Sequence, residues 1–344
     1  MTPDVPARHV AWLDGWRGIA IALVLFEHFA GFSTGRLGVD VFFVLSGFLI
    51  TRMLFEQRVP LVTFYRRRVA RIFPVFYLYV GAMTLAGWFA LPSIDWSAVG
   101  WTATFLRSYF GEHIWADPLA FGNLWSLNVE EHAYVFLSLL ALLASRRSER
   151  AARWLLTFAV LVPVAVHLFY RAFPEAPGGT PFQLRTEAAI LPLLISAAIF
   201  LWARVHRVQV SPRLAAIMLM LTVIVAAVDV IGLARGGSII KYLFLPVLLA
   251  LSVNVLHRAP VRLRNALSVR WLTWLGTCSY SIYLWHYPFF YLINRNLWPF
   301  GNMLACICAL VVGALSFYCF ERPLRQWLCG TDPRVTNAAA APAT

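Results

Sequence analysis

The chain has 344 residues, 60% of them hydrophobic and only 13% charged, with a mean hydropathy of +0.69. So few charges cannot cover the surface of a soluble domain of this length, which excludes a water-soluble enzyme. The net charge of +13 is almost all arginine spread over many short segments, which argues against one nucleic-acid-binding face.

Apolar stretches of about 20 residues recur along the chain, so the predicted fold class is an all-α polytopic membrane protein with about ten transmembrane helices. The predicted spans are roughly 14–31, 38–55, 72–91, 97–111 with 124–144, 152–170, 187–203, 213–232, 238–256, 271–293 and 302–320. The stretch 97–111 is short and reads as re-entrant or interfacial, so 124–144 supplies the fourth full span. Arginine-rich segments recur on one side, at Arg66, Arg67 and Arg68, then Arg146 and Arg150, then Arg258 and Arg262. The positive-inside rule places that side, and both termini, in the cytoplasm. The membrane domain is expected over 1–330 and a disordered tail over 331–344.

The first span opens LDGWRGIAIALVLFEHF, residues 13–29. Arg17 and His28 are eleven positions apart, which brings them within about 20° of one helix face and about 16 Å apart along the axis. An ionisable group inside a bilayer is expensive and faces a bundle interior or a watery cavity. His28, beside Glu27 in an otherwise apolar helix, therefore reads as a functional group, a candidate base, rather than a satisfied packing residue, whereas Arg17 could equally serve the site or snorkel to the headgroups. The second span, GVDVFFVLSGFLIT, carries Asp40 at its outer end. Asp40 could orient the His28 imidazole or simply cap helix two.

In FYRRRVARIFPVFY, residues 64–77, Arg68 and Arg71 share a face and suit a phosphate or pyrophosphate. Anchoring to anionic lipid is the alternative, and composition alone favours it. NLWSLNVEEHAYVF, residues 123–136, gathers Asn128, Glu130, Glu131 and His132 at the start of an apolar helix. This reads as a site, with a dipole-complementing helix start as the alternative. In CSYSIYLWHYPFF, residues 278–290, Ser279, Tyr283 and His286 could line a substrate path or pack helices. Near the end, Glu321 and Arg325 are spaced to pair. The five cysteines form neither a CxxC pair nor a zinc pattern, and no other group has metal-ligand spacing.

A buried polar stripe could also belong to a transporter of a lipid-linked sugar, but no internal repeat supports that. Taken together and in order, LDGWRGIAIALVLFEHF, GVDVFFVLSGFLIT, FYRRRVARIFPVFY, LWSLNVEEHAYVF, SYSIYLWHYP and ERPLR resemble the signatures of the acyltransferase-3 family of integral membrane O-acyltransferases. The resemblance covers roughly residues 12–327. It implies transfer of an acyl group, often acetyl, from cytoplasmic acyl-CoA to a hydroxyl of a carbohydrate or glycoconjugate. It implies His28 as the base, with Arg17, Arg68 and Arg71 handling the acyl-CoA donor. Asp40, Glu130 or Glu131 would orient the imidazole. Asn128, Ser279, Tyr283 and His286 would contact the substrate. A thioester is an activated donor, so no metal is expected. The resemblance implies a stand-alone form without an SGNH-type domain, in the bacterial cytoplasmic membrane. The family usually has Gln-Phe-Tyr after the paired glutamates, where this chain has His132, Ala133 and Tyr134.

Overall fold

The computed structural model describes residues 10–110, 117–146, 148–173, 181–232, 240–297 and 300–329. The expected tail at 331–344 lies outside the described residues. Within them the chain is helical, without strands. The main helices are α1 (Ala11–Ala30), α2 (Gly35–Thr51) and α3 (Leu61–Ala90). Then come α4 (Trp96–Ala103), α5 (Arg107–Phe110), α6 (Trp125–Arg146) and α7 (Glu149–Ala172). The second half holds α8 (Thr186–Ala189), α9 (Leu191–Val205), α10 (Pro212–Val230), α11 (Leu245–Val255) and α12 (Val261–Leu267). It closes with α13 (Arg270–Asn294), α14 (Asn302–Ser316) and α15 (Arg322–Cys329).

Each of the ten expected spans coincides with a helix, but the helices are not equivalent. Six among the described residues are long and apolar enough to cross a bilayer, or seven if the segment 241–258 and α12, bent by 114°, count as one span. α1 carries Asp14, Arg17 and Glu27, and α9 has only 15 residues. The eight residues of α4 reach about 12 Å, far short of a hydrocarbon core of about 30 Å, so the 97–111 stretch does not span.

Burial sorts the bundle into a centre and a rim. In the most apolar window of the segment 35–56, 67% of residues are buried, against 17% for α10. α10 exposes Ile217, Met220, Val223 and Ile224, and α7 exposes Phe158, Leu161, Val162 and Phe169. Apolar faces of that size are stable only against lipid. At the centre α1 packs against α2 and α13, and α2 packs on against α9. Glycines allow the closest of these approaches. A methyl group at Gly276 would overlap the Asp14 carbonyl, and one at Gly47 would overlap that of Leu193. With little hydrophobic drive between helices in lipid, such backbone contact is what holds α1, α2 and α13 together.

Candidate active site

Two chambers lie between the central helices, one at each end of the α1 stripe. The first, of about 80 Å³, is lined by Arg17 from α1, Ser46 from α2 and Arg68 and Arg71 from α3. Glu130 and Tyr134 from α6 and Ser279, Tyr280 and Tyr283 from α13 complete it. Arg68 and Arg71 sit seven and ten residues into α3, about 10 and 15 Å along it, and both reach the chamber wall. Arg17 Nη1 donates to Asp14 Oδ1 at 2.8 Å, which fixes the guanidinium at the chamber wall. Arg68 lies over the Tyr134 ring, 4.5 Å from its centroid. Three cations and one lining carboxylate make this chamber a site for an anion.

Glu130 belongs here and not beside the histidine, and Glu131 lines neither chamber. Glu130 accepts from Ser46 Oγ and from Tyr134 Oη, each at 2.8 Å. Glu131 has a buried Oε1 without a hydrogen-bond partner. Neither carboxylate holds the His28 imidazole in this structure: Glu130 is engaged by Ser46 and Tyr134, and His28 Nδ1 is on a main-chain carbonyl. Helical spacing shows which residues share a face but not which neighbouring helix that face meets.

The second chamber, of about 430 Å³, holds His28. Glu27, Arg36, Asn123, Trp125, Tyr242, Tyr287 and Phe290 also line it. His28 Nδ1 lies 3.0 Å from the Val24 carbonyl. A carbonyl can only accept, so Nδ1 carries the proton in the neutral ring and Nε2 keeps its lone pair. That is the tautomer a general base requires, and Val24 supplies it without any carboxylate.

Asp40 likewise does something other than orient the imidazole or cap a helix. α2 begins at Gly35, so Asp40 lies in its second turn. Its buried carboxylate accepts from Arg36 Nε at 3.0 Å. Arg36 Nη1 also donates to the Gln183 carbonyl at 3.1 Å. Its guanidinium sits 5.3 Å from the ring centroids of both Trp125 and Tyr242. Arg36, which the sequence motifs did not single out, is the cation of the histidine chamber. Its spacing of four from Asp40 on an apolar helix was the available signal. Asn123 was also missed. Its Nδ2 donates to the Tyr283 carbonyl at 2.7 Å, while its buried Oδ1 has no partner.

Asn128 is structural. Its Nδ2 donates to the Leu124 carbonyl at 3.1 Å, and its Oδ1 accepts from the main-chain N–H of Arg107 at 3.0 Å and of Ser108 at 3.1 Å. It thereby fastens the short α5 to α6, beside the buried pair of Arg107 and Asp117 at 2.5 Å. It lines neither chamber. Glu321 accepts from Ser281 Oγ at 2.7 Å rather than from Arg325.

Tyr283 and Val39 belong to both chambers. The Tyr283 hydroxyl donates to the Asn123 carbonyl at 2.8 Å and lies 2.7 Å from Ser126 Oγ. Its ring is thus clamped as a shared wall. His286 is wholly buried behind His28, with ring centroids 4.9 Å apart. Among the sequence-predicted residues, the structure brings Arg17, Arg68, Arg71, Glu130, Ser279 and Tyr283 to one chamber and sets His28 in the next.

An acyltransferase domain family matches residues 10–322. Among curated relatives, the YrhL protein of Bacillus subtilis is 29% identical, over 92% of this chain and 55% of its own length. The peptidoglycan O-acetyltransferase OatA of Listeria monocytogenes is 27% identical, over 93% of this chain and 56% of its own. The O-acetyltransferase OatA of Staphylococcus aureus is 25% identical, over 93% and 58%. The chain therefore spans just over half the length of these relatives. No solved structure matches it. With six ordered signatures and a family match that runs from the start of α1 to the start of α15, the chain belongs to the acyltransferase-3 family.

Proposed function

We propose that this protein is a membrane O-acyltransferase that moves an acetyl group from cytoplasmic acyl-CoA to a hydroxyl of a carbohydrate or glycoconjugate. The observation that carries the reading is the pair of chambers sharing the Tyr283 wall, one lined by three guanidiniums and one by a base in its acceptor tautomer. Arg17, Arg68 and Arg71 bind the donor's phosphate-bearing part through charge-assisted hydrogen bonds. At about 80 Å³ the arginine chamber is too small for a whole nucleotide thioester. Its walls therefore part to admit the phosphate-bearing part of the donor.

In the second chamber, Trp125, Tyr242, Tyr287 and Phe290 offer apolar faces to a sugar ring, while Asn123 Oδ1 and Glu27 accept from its hydroxyls. His28 Nε2 removes the proton of the reacting hydroxyl as its oxygen attacks the thioester carbon. His28 then returns that proton to the departing thiolate. The relatives' names support acetyl as the group and a glycan as the acceptor. The orientation that supplies donor and acceptor from opposite faces puts both termini in the cytoplasm of a bacterial cell, with ten helices in its cytoplasmic membrane.

Mass spectrometry of surface glycans from cells with and without this gene tests the reading. The expected result is loss of one 42-Da acyl increment from one glycan class, about the mass of an acetyl group replacing a hydroxyl hydrogen. An unchanged acylation pattern across all surface glycans would overturn it.

A further inference from the structure

His286 is the buried titratable group that the mechanism above leaves without a task. It lies on α13, is fully enclosed, and lines neither chamber. Its Nδ1 lies 2.7 Å from the Tyr283 carbonyl, so Nδ1 carries the hydrogen and Nε2 bears a lone pair. That Nε2 is buried and has no hydrogen-bond partner. A buried acceptor without a partner costs about 1–3 kcal/mol, so a group like this calls for a physical explanation.

The rings packed against His286 are His28 at 4.9 Å, Tyr283 at 5.5 Å and Tyr287 at 6.1 Å between centroids. The Tyr283 hydroxyl is already committed to Asn123 and Ser126. The His28 ring is in the same state as its neighbour, with Nδ1–H on a main-chain carbonyl and Nε2 open. Two imidazoles in contact therefore present two lone pairs and no hydrogen to share at Nε2. Two positive charges at that separation in a low-dielectric bundle repel strongly, so the pair accommodates one added proton and not two. The other polar groups facing it are Glu27 beside His28 on α1, Arg36 across the chamber on α2, and Tyr283 and Tyr287 on α13. Arg36 is held by Asp40, and Glu27 accepts from the Gly35 main-chain N–H.

We infer that His28 and His286 form a one-proton pair, in which His286 is a positioning residue whose Nε2 accepts a hydrogen bond from the newly protonated His28. This rests on the acyltransferase reading. As the acceptor O–H breaks, its proton goes to His28 Nε2 and its electron pair forms the new C–O bond. The C–S bond of the thioester then breaks, and the thiolate takes the proton from His28. Between those events the protonated ring turns its Nε2–H from the chamber onto His286 Nε2, which keeps water from the proton until the thiolate draws it back. No oxidant, reductant or metal enters the balance.

Purified full-length protein in nanodiscs tests this with acetyl-CoA, a soluble sugar acceptor and thiol release as the readout. In His286→Leu, which fills the space without an acceptor atom, kcat is expected to fall about 100-fold with KM for acetyl-CoA within threefold of wild type. In His286→Gln, whose amide oxygen reaches the Nε2 position, kcat is expected to recover to within about tenfold of wild type. The split between kcat and KM, and the rescue by Gln, are effects a packing role would not produce. A folded His286→Leu with kcat within threefold of wild type overturns the inference. So does a folded His286→Gln that stays 100-fold impaired, which still decides the matter if the Leu variant does not fold. Wild type that releases no thiol would instead overturn the acyltransferase reading itself.

Discussion

The arginine chamber and the histidine chamber share two residues, Tyr283 and Val39, but are built on opposite principles. The first is small, carries net positive charge, and ties its polar groups to one another through Ser46, Tyr134 and Glu130. The second is about five times larger, walled by aromatic rings, and holds acceptor atoms without a protein partner at His28 and Asn123. A site that must hold an anionic donor while keeping water out gains from preformed charge and tight packing. A site for a sugar needs room, flat apolar faces and unfilled hydrogen-bonding groups. On the proposed reading, this difference gives donor and acceptor separate chambers and puts the transfer at their common wall.

That division of labour can be broken at several points. Replacing Arg68 and Arg71 together by alanine is expected to raise KM for acetyl-CoA about 100-fold while changing KM for the sugar acceptor by less than threefold, measured by initial-rate kinetics. If both constants rose together, the chambers would not be functionally separate. Tyr283→Phe removes the hydroxyl that clamps the shared wall. About a tenfold fall in acetyl groups transferred per thiol released is expected, because water gains access to the thioester. The ratio of ester formed to thiol released measures it. An unaltered ratio would mean that the ring alone makes the seal.

Asp40→Asn tests the corrected role of the carboxylate. It strips the buried partner from Arg36, so a stability loss of about 3 kcal/mol is expected, with kcat of the folded protein within threefold of wild type. A normal melting temperature with a 100-fold lower kcat would restore Asp40 as the group that orients His28. The smallest effect on chemistry is expected for Asn128→Ala, which leaves the buried N–H groups of Arg107 and Ser108 unpaired. It should cost about 2 kcal/mol in thermal unfolding and leave KM for either substrate unchanged.

Much of this was legible before any coordinates. The interval of eleven between Arg17 and His28 follows from helix geometry, and the structure keeps both on one continuous helix facing consecutive chambers. The Arg68 and Arg71 pair is readable for the same reason. What one helix period cannot carry is the identity of the helix opposite. Glu130 and Glu131 looked like partners for a histidine because they are acidic and close in sequence to a polar cluster, but α6 turns Glu130 toward Ser46 and the arginines. Asp40 and Arg36 form a local pair that four-residue spacing could have suggested. The pairing of His28 with His286 joins α1 to α13 and left no local trace. The spans differ in a similar way. α10 advertises itself by apolarity on all sides, whereas α1 is kept in the bundle by the glycine-mediated contact with α13 that hydropathy does not register.

The central claim is that donor and base meet at the Tyr283 wall. A structure of the full chain with a non-hydrolysable acetyl-CoA analogue tests it most directly. Phosphate density is expected on Arg17, Arg68 and Arg71, with the acyl carbon lodged between Val39 and Tyr283 on the side of His28 Nε2. An analogue seated with its phosphates away from all three arginines, or with its acyl end outside both chambers, would contradict it.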